Sequence, residues 1–212
     1  MKVVQIAKIS SGQDGVIWEN ELFRFDHLGN CSVYNLNDVK KEKIVELKPF
    51  AQFSLDKNHL ITPHSNSVSW GADYFQKGDE FPLLYTYIYN NKSKIADNLM
   101  GACCVYRLQR DGETFKTILV LNANDVLETF DCPFQDYIQG ATIYKGKLYS
   151  AEGFSNDINK PAIRIIDVNR KVEEAYINLW DNGYNCEPEL VDFENDVCYY
   201  SDYLGNLYTI EF

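Results

Sequence analysis

The chain has 212 residues, 45% of them hydrophobic, with 31 acidic against 20 basic side chains and a formal net charge of −11. This fits one domain with a real core. It disfavours nucleic acid and anionic membranes as partners, because phosphate backbones attract clustered Lys and Arg.

Residues 3–9 (Val-Val-Gln-Ile-Ala-Lys-Ile) read as the first strand. A unit then appears that returns three more times: a polar lead-in, an apolar strand, a tight turn, an aromatic-rich strand and a third strand. In the first unit the turn is Glu19-Asn20, the second strand Leu22-Phe23-Arg24-Phe25 and the third Val33-Tyr34-Asn35-Leu36. The second unit offers Leu83-Leu84-Tyr85-Thr86 and Val105-Tyr106-Arg107-Leu108. The third offers the turn Lys145-Gly146, then Leu148-Tyr149-Ser150-Ala151 and Ile165-Ile166-Asp167-Val168. The fourth has the turn Glu194-Asn195, then Val197-Cys198-Tyr199-Tyr200 and Leu207-Tyr208-Thr209-Ile210. Fourth strands are expected at 44–47, 118–121 and 175–179. Polar or Gly-bearing turns of this kind join antiparallel neighbours.

Repetition on this scale fixes an architecture: an all-β fold, specifically a β-propeller. Third strands recur at spacings of 72, 60 and 42 residues, whereas a blade needs about 40–45. Insertions are therefore expected near 49–65, 86–100 and 122–138. Four blades are counted, or five if one is degenerate. The last unit lacks a fourth strand, and residues 3–9 can supply it, closing the ring and removing two sheet edges.

No apolar run approaches the ~20 residues of a membrane helix. Residues 1–9 are too short and too polar for a signal peptide. The chain reads as soluble and cytoplasmic, or as secreted if a leader was removed. Its six cysteines show no CxxC spacing and read as buried free thiols. Asn30-Cys31-Ser32 and Asn91-Lys92-Ser93 match glycosylation sequons, which matter only after secretion.

In a propeller the first strand of each blade lines a central channel, and the lead-ins crowd one mouth. The polar residues there are Gln13-Asp14, His64-Ser65-Asn66, Gln139-Gly140 and Glu187-Pro188-Glu189. They form a candidate site, or they hydrogen-bond neighbouring blades. Glu187, Glu189 and His64 are the candidate acid–base groups; Gln13, Asp14, Asn66 and Gln139 are the candidate ligand contacts. Asp14, Asn66, Glu187 and Glu189 supply hard oxygens that would suit Ca²⁺. His64 lacks a second His or Cys at zinc spacing, and His27 and His59 fall in exposed turns. GxSxG, P-loop and HExxH signatures are missing. Trp18, Trp70, Tyr144 and Phe193 fall on first strands and Trp180 follows a fourth. Large rings of this kind pack between blades or serve as platforms for sugars and peptides.

Gln139-Gly140-Ala141-Thr142-Ile143-Tyr144, Gly146-Lys147-Leu148-Tyr149-Ser150, Glu152-Gly153, Ile163-Arg164-Ile165-Ile166-Asp167 and Glu187-Pro188-Glu189 together resemble propellers of the glutamine cyclotransferase and gluconolactonase-like kinds. With His64-Ser65-Asn66-Ser67 and Phe81-Pro82-Leu83-Leu84-Tyr85, the chain looks closer still to uncharacterised bacterial propellers from gut anaerobes. The cyclotransferase resemblance implies that Gln139 and Glu187 or Glu189 belong to an active site. The Glu-Gly expected there reads Glu187-Pro188-Glu189-Leu190. Two functions follow. The first is a binding module for a peptide, glycan or protein; the second is an enzyme on a small polar substrate at the channel mouth.

Overall fold

The structure is a computed structural model that describes residues 1–40, 42–55, 67–88, 102–108, 116–121 and 133–212. The strands are β1 (Lys2–Lys8), β2 (Gly15–Trp18), β3 (Glu21–Phe25), β4 (Asn30–Asn35), β5 (Val45–Glu46), β6 (Ala51–Ser54), β7 (Val68–Trp70), β8 (Leu83–Ile88), β9 (Ala102–Arg107), β10 (Lys116–Leu121), β11 (Ile138–Tyr144), β12 (Lys147–Glu152), β13 (Ala162–Asp167), β14 (Val172–Asn178), β15 (Pro188–Glu194), β16 (Val197–Asp202) and β17 (Asn206–Glu211). They form four sheets with the orders β2-β3-β4-β6, β7-β8-β9-β10, β11-β12-β13-β14 and β15-β16-β17-β1-β5. This is a four-bladed propeller. The first strands pack around one axis: β11 on β15, β15 on β2, β2 on β7 and β7 on β11.

Turn chemistry sets the blade hairpins. Glu19 and Asn20 have φ of 48° and 65°, Lys145 and Gly146 49° and 75°, and Asn195 and Asp196 50° and 66°. Positive φ at both central residues marks type I′ turns, whose twist matches that of paired strands. In the fourth blade the turn lies one residue later than expected, because Glu194 still pairs with Val197.

β1 closes the ring. It pairs antiparallel with β17, Val3 opposite Ile210 and Gln5 opposite Tyr208. One expected strand is corrected. Residues 44–47 do not complete the first blade: Val45 and Glu46 pair parallel with Ala7 and Lys8 as a fifth strand of the last blade. The fourth strand of the first blade is β6, from within the segment read as an insertion, and it pairs with β4. Packing explains the exchange. Phe53 of β6 lies 6.5 Å and 6.1 Å, ring to ring, from Phe23 and Phe25. Leu47 instead joins Ala7, Ile9, Tyr34 and Leu190 in the seam between first and last blades.

Two further clusters fill the seams. Phe23 meets Trp70 and Phe81 edge-on at 5.4 Å and 5.5 Å, joining the first and second blades. Tyr149, Ile163, Val191 and Tyr200 join the third and fourth. Each such fully buried apolar side chain stabilises by roughly 1.5–3 kcal/mol. Cys31, Cys104 and Cys198 are buried free thiols and Cys186 is half-buried. Among the described residues no helix is long and apolar enough to cross a membrane.

Candidate functional site at the channel mouth

The lead-ins of three blades share one backbone device. In β15 the register shifts between Pro188, opposite Asp202, and Leu190, opposite Ser201, leaving Glu189 as an extra residue. In β11 it shifts between Ile138 and Gly140, leaving Gln139. In the first blade Phe25 bonds both Gln13 and Asp14 while Gly15 faces Arg24, so Asp14 is the extra residue. A β-bulge bends its strand and re-aims a side chain. Here it places Asp14, Gln139 and Glu189 in equivalent positions in three blades.

Gly140 allows them to meet. A Cβ there would lie 2.6 Å from the Glu189 carbonyl oxygen and 3.0 Å from Asp14 Oδ1. This gives the Gln-Gly pair a steric reason: the backbone of the third blade runs against both acids.

The acids differ in role. Asp14 is 1% exposed, and its carboxylate accepts the N–H of Gly15 at 2.7 Å and of Val68 at 2.8 Å. It ties the first blade to the second, as a structural reading of the lead-ins expects. Glu189 is equally buried, and its Oε2 has no partner among the described residues. Burial pushes its carboxyl up to about 9, against the pull of Arg24 and with Glu187 and Asp14 adding repulsion. It therefore carries a proton at neutral pH. Burial also raises Asp14 well above the ordinary carboxylate range, despite its two backbone donors.

Glu187 is half-buried, accepts a hydrogen bond from Gln139 Nε2 and is shifted upward by burial. Gln139 Nε2 also reaches the Gly153 carbonyl at 3.4 Å. Gln13 is half-buried and joins the cluster through its backbone, its N–H donating to Phe25. His64 and Asn66 lie outside the described residues.

Arg24 was not singled out from the sequence, yet it organises the site. It is 1% exposed and faces Glu189, Asp14 and Asp202, while burial lowers its own pKa. Its Nη2 donates to the carbonyls of Gly12 at 2.8 Å and Asp202 at 3.2 Å. Nε and Nη1 have no partner among the described residues. Arg24 also borders a cleft of about 490 Å³ with Ser10, Ser11, Asn30 and Gln52 in its wall. Its one signal in the sequence is a charge in the middle of the strand Leu22-Phe23-Arg24-Phe25. Cys186 lies beside Asp202, and burial raises its thiol, so it is a poor nucleophile.

Among the described residues no group of three or more His, Cys, Asp or Glu is placed to hold a metal. Of the oxygens considered for Ca²⁺, those of Asp14 accept two N–H groups and Glu187 accepts a hydrogen bond from Gln139.

No protein-family model matches the sequence, and no curated protein matches it. Similar solved structures include glutaminyl cyclase from Myxococcus xanthus, at 12% identity and TM-score 0.36, covering 95% of this chain and 66% of that one. The computationally designed Ika8 protein has 10% identity and TM-score 0.40, covering 94% and 70%. Virginiamycin B lyase from Staphylococcus aureus has 8% identity and TM-score 0.49, covering 98% and 97%. At these values the propeller assignment rests on the strand order of this chain itself.

Proposed function

We propose that this propeller is a binding protein for a small polar ligand of sugar or amino-acid size, taken at the channel mouth. One observation carries the reading: three blades bulge at equivalent positions and bring Asp14, Gln139 and Glu189 together against a buried arginine. Concave sites with a few convergent polar groups are where small molecules bind. Glu187 and Gln139 are the outer contacts. Protonated Glu189 is a donor held behind them, and Arg24 faces the adjoining cleft.

The test is a thermal melt with free amino acids, monosaccharides and dicarboxylates. A ligand at ~100 times its Kd adds about 2.7 kcal/mol, or roughly 5–10 °C for a chain of this size. At least one class raises the melting temperature, and Glu187→Gln or Gln139→Ala removes the rise. Failure of every class, or a rise untouched by both substitutions, sinks the proposal.

A second reading, acid–base catalysis at the same mouth, is favoured by the contrast between the two glutamates. Glu189 holds its proton to about 9, while half-buried Glu187 is raised by burial alone. Two carboxyls in environments that differ in burial can divide acid and base roles. Under this reading, Glu187→Gln or Glu189→Gln abolishes turnover while ligand binding persists.

A further inference from the structure

The far end of the channel, beside the type I′ turns, has a cavity of its own of about 470 Å³. Its wall contains one aromatic side chain from the first strand of each blade: Trp18, Trp70, Tyr144 and Phe193. Asp192 and Glu194 stand in the same wall, and among its described residues none is Lys or Arg.

The rings fall into two pairs. Tyr144 and Phe193 stack at 4.2 Å, and Lys145 Nζ sits 5.1 Å from the Tyr144 centroid. Both faces of Tyr144 are thus in use, one of them already by a cation. Trp18 and Trp70 lie 6.0 Å apart, tilted by 60° rather than stacked, and both are half-buried. Phe23 and Phe81 brace Trp70 from its own seam at 5.4 Å and 5.8 Å.

Asp192 is held in place by Ile17 N–H at 2.7 Å and the Thr142 hydroxyl at 2.9 Å. The Phe193 N–H is a further donor to it, and since each carboxylate oxygen accepts two bonds, acceptor capacity remains. Two lysines near this end have acidic partners: Lys145, over the Tyr144 ring, pairs with Asp196, and Lys147 pairs with Glu174.

The geometry points to a binding site for a small organic cation, an alkylammonium of the tetramethylammonium or choline kind, seated on Trp18 and Trp70 with Asp192 as counter-charge. Indole faces attract cations within about 6 Å of the ring centroid, most strongly when water is displaced. A sugar would also stack on indole, but Asp192 and Glu194 in the same wall as the two tryptophans favour positive charge there. This site does not rest on the reading of the mouth.

The chain has only three tryptophans, and the third, Trp180, lies in a short 3₁₀ turn after β14. Tryptophan fluorescence therefore reports the site in a Trp180→Phe variant. Titration with tetramethylammonium or choline gives a saturable change that sodium at equal ionic strength does not. Binding weakens about tenfold or more in Asp192→Asn and in Trp18→Leu, as expected when a charge or a cation–π platform is lost. The uncharged isostere of choline, 3,3-dimethyl-1-butanol, binds at least about tenfold more weakly. If Asp192→Asn fails to fold, Glu194→Gln serves as the charge variant, with a smaller loss. No saturable change up to about 50 mM cation, a generous ceiling for a millimolar site, overturns the assignment. Equal affinity for the uncharged alcohol does the same.

Discussion

Asp192 lies on the fourth blade and Ile17 on the first, and the carboxylate of one accepts the backbone N–H of the other at 2.7 Å. Asp14 makes the matching bond from the first blade to Val68 of the second. First strands are central in a propeller but are edges of their own sheets, so their outward N–H groups need partners. Two buried carboxylates supply them at these blade boundaries.

Removing one should be costly. Asp14→Ala strands the N–H groups of Gly15 and Val68, and each buried orphan costs about 1–3 kcal/mol. Urea unfolding is expected to show a loss of about 2–5 kcal/mol, with Asp14→Asn milder because one acceptor remains. An unchanged midpoint for Asp14→Ala would mean that the latch contributes nothing.

Stability should fall as pH rises. Glu189 titrates near 4.5 in an unfolded chain and about 9 in the fold. Between those values the folded state holds a proton that the unfolded state has released. Unfolding therefore becomes easier with pH, by at most about 1.4 kcal/mol per pH unit for one group. Asp192 adds the same sign between 3.8 and about 6. Melting temperature is expected to drop from pH 6 to pH 9, and Glu189→Gln to flatten that drop. A melting temperature that climbs over this interval would contradict a protonated Glu189.

Gly140 should not tolerate a side chain. Its Cβ would meet the backbone of Glu189 and the carboxylate of Asp14, neither free to retreat. Overpacking of this kind costs about 1–3 kcal/mol, and calorimetry of Gly140→Ala reads it directly. Wild-type stability in that variant would mean that the blades can slide apart.

Deleting residues 1–9 should abolish cooperative folding. It strips β17 of one of its two antiparallel partners and β5 of its parallel one, and it takes Ala7 and Ile9 from the seam of the first and last blades. The check is the thermal transition of the truncated chain. A sharp, reversible melt would show that the ring holds without its closing strand.

Repeat and closure were legible because apolar strands recur in register with turn residues, and those cues are local. The assignment of 44–47 failed because Val45 and Leu47 look equally suited to either blade; only the fit of Phe53 against Phe23 and Phe25 decides. That Asp14, Gln139, Glu187 and Glu189 lie at the entries of first strands was legible from the repeat. Their division of labour could not, because a bulge leaves no compositional mark and a shifted carboxyl depends on burial. Arg24 and Asp192 interrupt apolar strands, a visible signal whose meaning depends on which blade lies opposite.

The Gln5 side chain donates to Asn206 across 201 positions of sequence, at 3.0 Å. On a ribosome, β1 is made before the other described strands, and its partner β17 after them. Until then β1 is an apolar strand with both edges open, a species prone to pair with the wrong chain. Such distant pairing also slows folding, since a very long loop must close before the contact forms. The same pairing that seals the ring leaves β1 dependent on whatever shelters it until β17 arrives.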